Sequence, residues 1–492
     1  MRDRHRPGAA PSARVLTALL LPLFASLMSI SSVMVALPAI EEGLGATAAD
    51  LQWVLSGYAL AFGVGLVPAG RAGDLWGRRR FFLLGTAVFA AASLAAAFSP
   101  SPLMLNAMRI VAGLGAAMLV PQIIGIIQRM FTGQARGRAY GLMSTVIGVA
   151  VAVGPLLAGV LIDSASAEAG WRLVFLLNVP VTAVALIAAF CWLPKFQDGD
   201  SARSRRAGVQ RGLGKLDPLG AVLLSVAIVC VMLPVIQYQN LTGAAVAVAG
   251  LALLGLWFWW EKRLGERDAE APMVNIALFT LPSYTWNSAV LILYFAGMPG
   301  IWAVVAIYVQ QGLGLSALTA GLVMLPSAGM VILLAAQVGR RVERMGARML
   351  VLGSIAAVVS MLVLAAAALL ETTPWASVGW VAVALGVNGL SQALIIPSAQ
   401  TLSMQDVPEP MAGAAGGVAQ SAQRVVTAIG LAVVTAVYFG VLSGFDHQSA
   451  LLVVALLVAG IMVFSVVAAV GAARRAATQR QRQRSTPVTA DE

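Results

Sequence analysis

Two arginines stand inside long apolar runs, and one carboxylate stands among glycines and arginines where such a run ends. Arg109 shares a helical face with Asn106 and Gly113, three and four residues away on either side. A guanidinium at the centre of a bilayer costs about 2.5–3.5 kcal/mol on insertion scales, so it turns to an interior cavity or a partner rather than to lipid. Gln420 and Arg424, one turn apart, make a second polar face. Either arginine can bind an accepting or anionic group, or do no more than tie down helix carbonyls. The carboxylate is Asp74, in the run Gly70, Arg71, Ala72, Gly73, Asp74, Leu75, Trp76, Gly77, Arg78, Arg79, Arg80. The arginines alone would support an ordinary basic loop. Glycine, however, permits tight turns and close helix approach, and a carboxylate at a helix end can pair with arginine or with the positive end of a neighbouring helix. A clasp of that kind, intact in one conformation and broken in another, is a gate.

Other chemistry finds no footing. Cys191 and Cys230 fall in apolar runs, where a free thiol behaves as a small hydrophobe, and His5 and His447 lack metal-binding partners at a recognisable spacing. No disulfide and no metal site is expected. Gly212, Leu213, Gly214 and Lys215 are the nearest approach to a phosphate loop, but the following Ser or Thr and the first glycine are missing. No stretch between apolar runs exceeds about 25 residues, short of the ~50 that a separate domain needs. The chain is therefore not expected to be an enzyme, and no cofactor is expected.

The elements that must hold these residues are apolar. Of 492 residues, 59% are hydrophobic and 11% charged, against about 25% charged in soluble domains, which marks an integral membrane protein. Fourteen spans are predicted, over 15–37, 51–69, 81–98, 103–127, 140–161, 173–193, 218–236, 243–260, 287–309, 318–338, 349–370, 375–398, 412–442 and 449–472. Arg2, Arg4 and Arg6 ahead of the first run imitate a secretory leader, but that run, about 23 residues, is longer than a cleavable core and is expected to stay as the first helix. The two tails and the even-numbered loops hold 29 of the 32 Lys and Arg; the rest are Arg172 at an outer end and Arg109 and Arg424 inside spans. By the positive-inside rule both termini are cytoplasmic. The net charge of +11 then reports topology and not a nucleic-acid partner. Arginine outnumbers lysine 29 to 3, as in GC-rich bacterial genomes, so the expected location is the bacterial inner (plasma) membrane.

One offset recurs along the chain. Gly43, Leu44 and Gly45 return as Gly312, Leu313 and Gly314, and Gly70, Arg71, Asp74, Gly77 and Arg79 return as Gly339, Arg340, Glu343, Gly346 and Arg348, all displaced by 269 residues. Two glycine-bearing turns sharing one offset across a whole helix mark an internal duplication. The fold class expected is an all-α polytopic membrane protein of two six-helix bundles plus two inserted helices. Its parts are a cytoplasmic tail (1–14), an N-terminal bundle (15–193), a linker (194–216), the inserted helices (217–260), a second linker with the approach to the next helix (261–286), a C-terminal bundle (287–472) and a basic tail (473–492). Halves with even span numbers share one orientation, and the substrate cavity is expected at their interface. Polar residues nominated for its wall are Tyr58, Asn106, Asn287, Tyr294, Gln392 and Gln420, of which Asn287 and Tyr294 share a face. Each is also explained as a residue that helps helices pack.

The run from Gly70 to Arg79 resembles the signature of the major facilitator superfamily between helices 2 and 3, matching at Gly70, Asp74, Gly77, Arg78 and Arg79, with a degenerate second copy at Gly339, Glu343, Gly346 and Arg348. The resemblance implies that Asp74, Arg78 and Arg79 latch the halves on the cytoplasmic side. Fourteen spans resemble the long branch, the drug:proton antiporters of the multidrug efflux type, over residues 15–472. In span 5, Gly148, Gly154, Pro155 and Gly159 allow close packing and a bend, and are similar to the superfamily's exporter motif. Trp171, Arg172, Phe175, Asn178 and Pro180 resemble a run of the long branch. Arg109 resembles the span 4 arginine tied to proton or substrate coupling, although Ala112 stands where the family usually has Gln.

The departure lies in span 1. Ser31 to Pro38 resemble the branch, yet its membrane-embedded Asp two residues earlier is here Ser29, which cannot exchange a proton near neutral pH. None of the 21 carboxylates is predicted in mid-span: Asp74, Asp217 and Glu261 sit at inner ends, and Glu41, Glu42, Asp50, Asp163 and Glu371 at outer ends. Coupling then needs an end-of-helix acid such as Asp74 or Asp163, or a titratable substrate, or it is absent. A cavity with Arg109 and Arg424 and no buried acid should disfavour permanent cations and accept neutral or anionic amphiphiles. The resemblance implies a secondary active exporter of hydrophobic or amphiphilic small molecules (drugs, antibiotics, metabolites) by alternating access, proton-coupled despite Ser29. Its expected partners are the small-molecule substrate, protons as candidate coupling ion, and the lipid bilayer, with a monomer as the expected assembly. Rival readings are a lipid exporter or flippase opened laterally by spans 7 and 8, an uncoupled facilitator, and a non-transporting sensor or scaffold. The intact gating run and Gly154-Pro155 weigh against the last.

Overall fold

The structure is a computed structural model that describes residues 13–165, 167–194, 217–237, 241–268, 271–315, 317–370 and 374–485; the first twelve residues of the expected N-terminal tail and the linker over 195–216 lie outside them. The helices are α1 (Ala13–Leu44), α2 (Ala48–Trp76), α3 (Arg78–Ala97), α4 (Pro102–Met130), α5 (Gly133–Asp163), α6 (Ala167–Leu176), α7 (Asn178–Trp192), α8 (Pro218–Gln237), α9 (Leu241–Arg267), α10 (Pro282–Ile307), α11 (Ala317–Met345), α12 (Arg348–Leu369), α13 (Pro374–Ser403), α14 (Ala412–Leu442) and α15 (His447–Ser485). Among the described residues, with α6 and α7 taken as one, 13 helices are long and apolar enough to cross a membrane, and α8 adds a shorter apolar helix. These correspond to the fourteen predicted spans. The chain is all-α among the described residues.

Helix starts follow from capping chemistry. Thr47 accepts from the Asp50 backbone N–H while Asp50 Oδ2 accepts from the Thr47 N–H at 2.9 Å, a reciprocal box that opens α2. Ser101 and Pro102 open α4. Asp446 Oδ1 accepts the Ser449 N–H at 2.8 Å ahead of α15, and this bond holds its carboxyl below the ordinary value.

The gating run differs from the expected loop. α2 stays helical through Trp76, Gly77 alone breaks it, and α3 begins at Arg78. Between α11 and α12 the break takes two residues, Gly346 and Ala347. Gly77 has φ +105° and Gly346 +54°, a region closed to most side chains, so one glycine, alone or with one further residue, suffices where a longer turn was expected. Gly45 (+60°) and Gly314 (+66°) form a second such pair at the same offset, as a duplicated half requires.

The chain divides into two compact units. The first is Met1–Thr132, Val146–Ile276 and Pro408–Ser421; the second is Gly133–Thr145, Ala277–Val407 and Ala422–Glu492. Thus α5 and α14 each contribute to both. The first unit buries Val33, Ile40, Val54, Leu105, Trp171 and Phe175 together; the second buries Tyr294, Met298, Leu364, Leu385, Val434 and Met462. Leu84, Ile187, Phe190, Leu362 and Phe464 stay exposed, the apolar outer surface that spanning helices present to lipid.

Candidate functional site

The gating residues converge at the end of α2 in the first unit. Asp74 Oδ1 accepts from Arg78 Nε at 3.0 Å and from the Gly413 N–H at 3.2 Å, and Oδ2 accepts from the Ala414 N–H at 2.9 Å. Gly413 and Ala414 lie in the first turn of α14, so Asp74 satisfies that helix's open donors and meets the positive end of its dipole. Arg78 is buried. Its Nη1 donates to the Gly125 carbonyl of α4 at 2.6 Å, and its Nη2 to the Glu409 carbonyl. Arg129 pairs with the Glu409 carboxylate at 3.1 Å. One ion pair thus joins α2, α3, α4 and the start of α14. Close approach is built in: a Cβ on Gly70 would stand 2.5 Å from the Gly413 carbonyl oxygen. Arg79, expected beside Arg78, instead donates to the Phe190 carbonyl at 2.9 Å and stacks over the Phe190 ring.

In the second unit the repeated pattern keeps its backbone half. Gly339 of α11 meets Gly137 of α5 so closely that a Cβ on either would fall on the other's carbonyl oxygen, and Gln134 donates to the Arg340 carbonyl at 3.1 Å. Glu343 lies over Gly133, but Glu343 and Arg348 are exposed and form no ion pair among the described residues.

A second site of the first unit is centred on Arg109, 1% exposed. Its Nε donates to the Val54 carbonyl at 2.9 Å and its Nη1 to Ser29 Oγ at 3.0 Å. The guanidinium lies 4.4 Å from the Tyr58 ring centroid and 5.9 Å from that of Phe175. Tyr58 itself donates to the Ser26 carbonyl at 3.1 Å. Gly113, one turn on, has no room for a Cβ beside the Tyr58 carbonyl. The structure therefore joins Ser29, Tyr58 and Arg109, with no carboxylate on the guanidinium among the described residues. Asn106 is buried nearby on the same helix, its Oδ1 unpartnered among the described residues.

The exporter residues of α5 play unequal parts. Gly154 packs directly on Ser31, with Met28 and Ser32 beside it, and Ser31 Oγ donates to the Ala150 carbonyl at 3.2 Å. Pro155 and Gly148 are half-buried. Gly159 has open space around it. Arg172 of the long-branch run is structural, donating to the Ala97 and Ser99 carbonyls, each at 3.0 Å. Of the remaining nominees, Gln420 is buried in the first unit. In the second, Asn287 donates to the Ser283 carbonyl at 2.6 Å, the Tyr294 hydroxyl is buried without a partner among the described residues, and Gln392 and Arg424 are half-buried. Sequence reasoning named Phe175 only as part of the long-branch run and not as a neighbour of Arg109, and it did not find Gln122, which fills the space over Gly73 and donates to the Ala69 carbonyl at 2.8 Å. Gln122 carried a signal: it is a polar residue inside span 4.

A duplicated all-helical chain with a buried cation in one span and a carboxylate clasped to a helix terminus defines a multi-pass membrane transporter. Residues 19–431 match the model of the Major Facilitator Superfamily, and the chain belongs to that superfamily. A Streptomyces coelicolor protein described as a probable actinorhodin transporter is 32% identical over 89% of this chain and 75% of its own length. The tetracenomycin C resistance and export protein of Streptomyces glaucescens is 31% identical over 87% and 76%. Among solved structures, the proton:xylose symporter XylE shares the fold with a TM-score of 0.62 at 13% identity, covering 93% of this chain and 95% of that one. The human organic anion transporter MFSD10 does so with a TM-score of 0.59 at 16% identity, covering 94% and 100%. Family and relatives are transporters rather than enzymes.

Proposed function

We propose that this protein is a secondary active exporter of hydrophobic or amphiphilic small molecules, antibiotics or metabolites among them, working by alternating access and coupled to protons. In this reading it sits in the bacterial inner membrane as a monomer with both termini cytoplasmic. The observation that carries it is the Asp74 clasp. A single carboxylate holds Arg78 and two backbone N–H groups of α14, so the end of α2 is joined to the start of α14, 339 and 340 residues further along the chain, through bonds that can open together. The tight seating of Gly154 on α1 supports export, and the named activities of the Streptomyces relatives support the substrate class. Ser29, Tyr58, Asn106 and Arg109 are the substrate-facing candidates of the first unit; Asn287, Tyr294, Gln392 and Arg424 are those of the second.

Everted membrane vesicles given actinorhodin or tetracenomycin C from outside, where export is read as uptake into the lumen, test this. Asp74→Asn leaves an amide NH2 against backbone donors and removes a charge from Arg78. A lost charge-assisted bond is worth roughly 1.5–3 kcal/mol, so export should fall about 10- to 100-fold at unchanged membrane insertion. Export at the wild-type rate would overturn the gate.

A further inference from the structure

The inserted helices hold two buried acids that the clasp does not use. Asp217 precedes α8 and Glu261 lies on α9; they are 4% and 0% exposed. A Cβ on Gly220 would fall on Asp217 Oδ2 and stand 3.0 Å from Glu261 Oε1. The two carboxylates therefore converge on one glycine, within the ~4–6 Å over which like charges strongly disfavour each other. Asp217 has donors of its own: its Oδ1 accepts the Gly220 N–H at 3.0 Å, and the Trp260 indole nitrogen lies 3.1 Å from both of its oxygens. Glu261 Oε2 accepts the Val274 N–H at 3.2 Å. Its Oε1 is buried and makes no well-aligned hydrogen bond among the described residues; the Trp257 indole N–H and the Met273 N–H are the further donors near this carboxyl.

No cation answers the pair among the described residues. α8 carries no charged side chain. On α9, Lys262, Arg263, Glu266 and Arg267 are exposed, with Arg263 stacked over Trp259 at 5.1 Å, and Asp268 beyond them is exposed too. Residues 271–281 are uncharged. α2, which packs on α8, carries Asp74 and Arg71 near one end and Asp50 at the other; Asp74 is held in the clasp. Lys215 and Glu270 lie outside the described residues.

Two buried carboxylates without a counter-ion do not both ionise, and an oxygen that makes no well-aligned hydrogen bond is the one free to carry a hydrogen of its own. We propose that Asp217 and Glu261 bind one proton between them, on Glu261 Oε1 and facing Asp217, which makes the inserted helix pair a proton-binding site of the transporter. Binding converts two facing carboxylates into one hydrogen-bonded acid and anion, and release returns the proton to water. The proposal deepens the proton-coupled reading and rests on it only for the second measurement below.

The first measurement is infrared difference spectroscopy of the full chain in liposomes, titrated with pH in H2O and D2O. At neutral pH the wild type should show a deuterium-sensitive protonated-carboxyl band. Glu261→Gln should lose it. Asp217→Asn should move its frequency, because the hydrogen-bond acceptor changes from carboxylate to amide, and Lys215→Ala should leave it in place. Should Glu261→Gln fail to insert, the Asp217→Asn shift decides alone. Absence of the band from the wild type, or a band indifferent to both substitutions, overturns the proposal. The second measurement follows proton movement driven by tetracenomycin C in everted vesicles, where Glu261→Gln should lose it. Proton movement that persists in Glu261→Gln removes the pair from coupling. Export without proton movement in the wild type defeats the coupled reading instead, and leaves the shared proton to the infrared result.

Discussion

Arg109 shows how much of a buried cation's behaviour depends on its shape. Its guanidinium binds the Val54 carbonyl, the Ser29 hydroxyl and the Tyr58 face at once, in three directions. A lysine keeps the charge but is a point donor on a flexible stem and cannot stack in the same way. Arg109→Lys should therefore lower export although net charge is unchanged. With one charge-assisted bond of ~1.5 kcal/mol lost, the fall should be about tenfold in initial rate in everted vesicles. A wild-type rate would mean that only the charge matters at this position. The importance of Arg109 was legible because an arginine in an apolar run is costly wherever it points. Its partners were not: Val54 contributes a carbonyl, which every residue has, and Phe175 is one apolar side chain among many.

At the scale of elements, the spans were legible from composition and the duplication from one offset, and both survive in the pairs Gly45/Gly314 and Gly77/Gly346. The gating runs were read as loops because they are rich in Gly and Asp, which favour turns, yet the intrahelical bonds run on until Gly77 in one and Gly346 with Ala347 in the other stop them. The helix that Asp74 clasps was illegible, because Gly413 and Ala414 are 339 and 340 residues away and offer backbone N–H groups alone. Arg79 turns to Phe190 and not to Asp74 for a related reason. Adjacent arginines point in different directions from a helix, and only the fold decides which one reaches the carboxylate. Close packing yields a contrast that export can measure. Gly137 and Gly339 meet backbone to backbone, whereas Gly159 has nothing within 4 Å. Overpacking costs about 1–3 kcal/mol, so Gly137→Val should reduce export by roughly tenfold or more, while Gly159→Val should leave it near wild type. Equal tolerance at both positions would show that the close approach of α5 and α11 is not needed for transport.

For the molecule as a whole, the distribution of charge predicts what can be carried. The basic residues concentrate in the tails and in alternate segments between spans, and among the described residues the buried carboxylates are few and committed. Asp74 is held by Arg78 and α14, and Asp217 and Glu261 face each other. Arg109 has no anion beside it among the described residues. At an effective dielectric of ~20, a permanent cation held ~8 Å from that guanidinium is disfavoured by roughly 2 kcal/mol, about 30-fold in occupancy. A neutral or anionic amphiphile avoids the penalty. Export of tetraphenylphosphonium should accordingly lie at least about tenfold below that of triphenylphosphine oxide, a neutral molecule of related shape, at equal concentration in everted vesicles. Ser29→Asp sharpens the comparison. It brings a carboxylate to the place where Ser29 Oγ now lies 3.0 Å from Arg109 Nη1 and so neutralises the guanidinium locally. The gap between the two compounds should narrow in that variant without a matching loss of the neutral one. If the wild type already carries the phosphonium as fast as the oxide, Arg109 does not govern selection by charge; if the gap persists in Ser29→Asp, the exclusion of cations arises elsewhere in the chain.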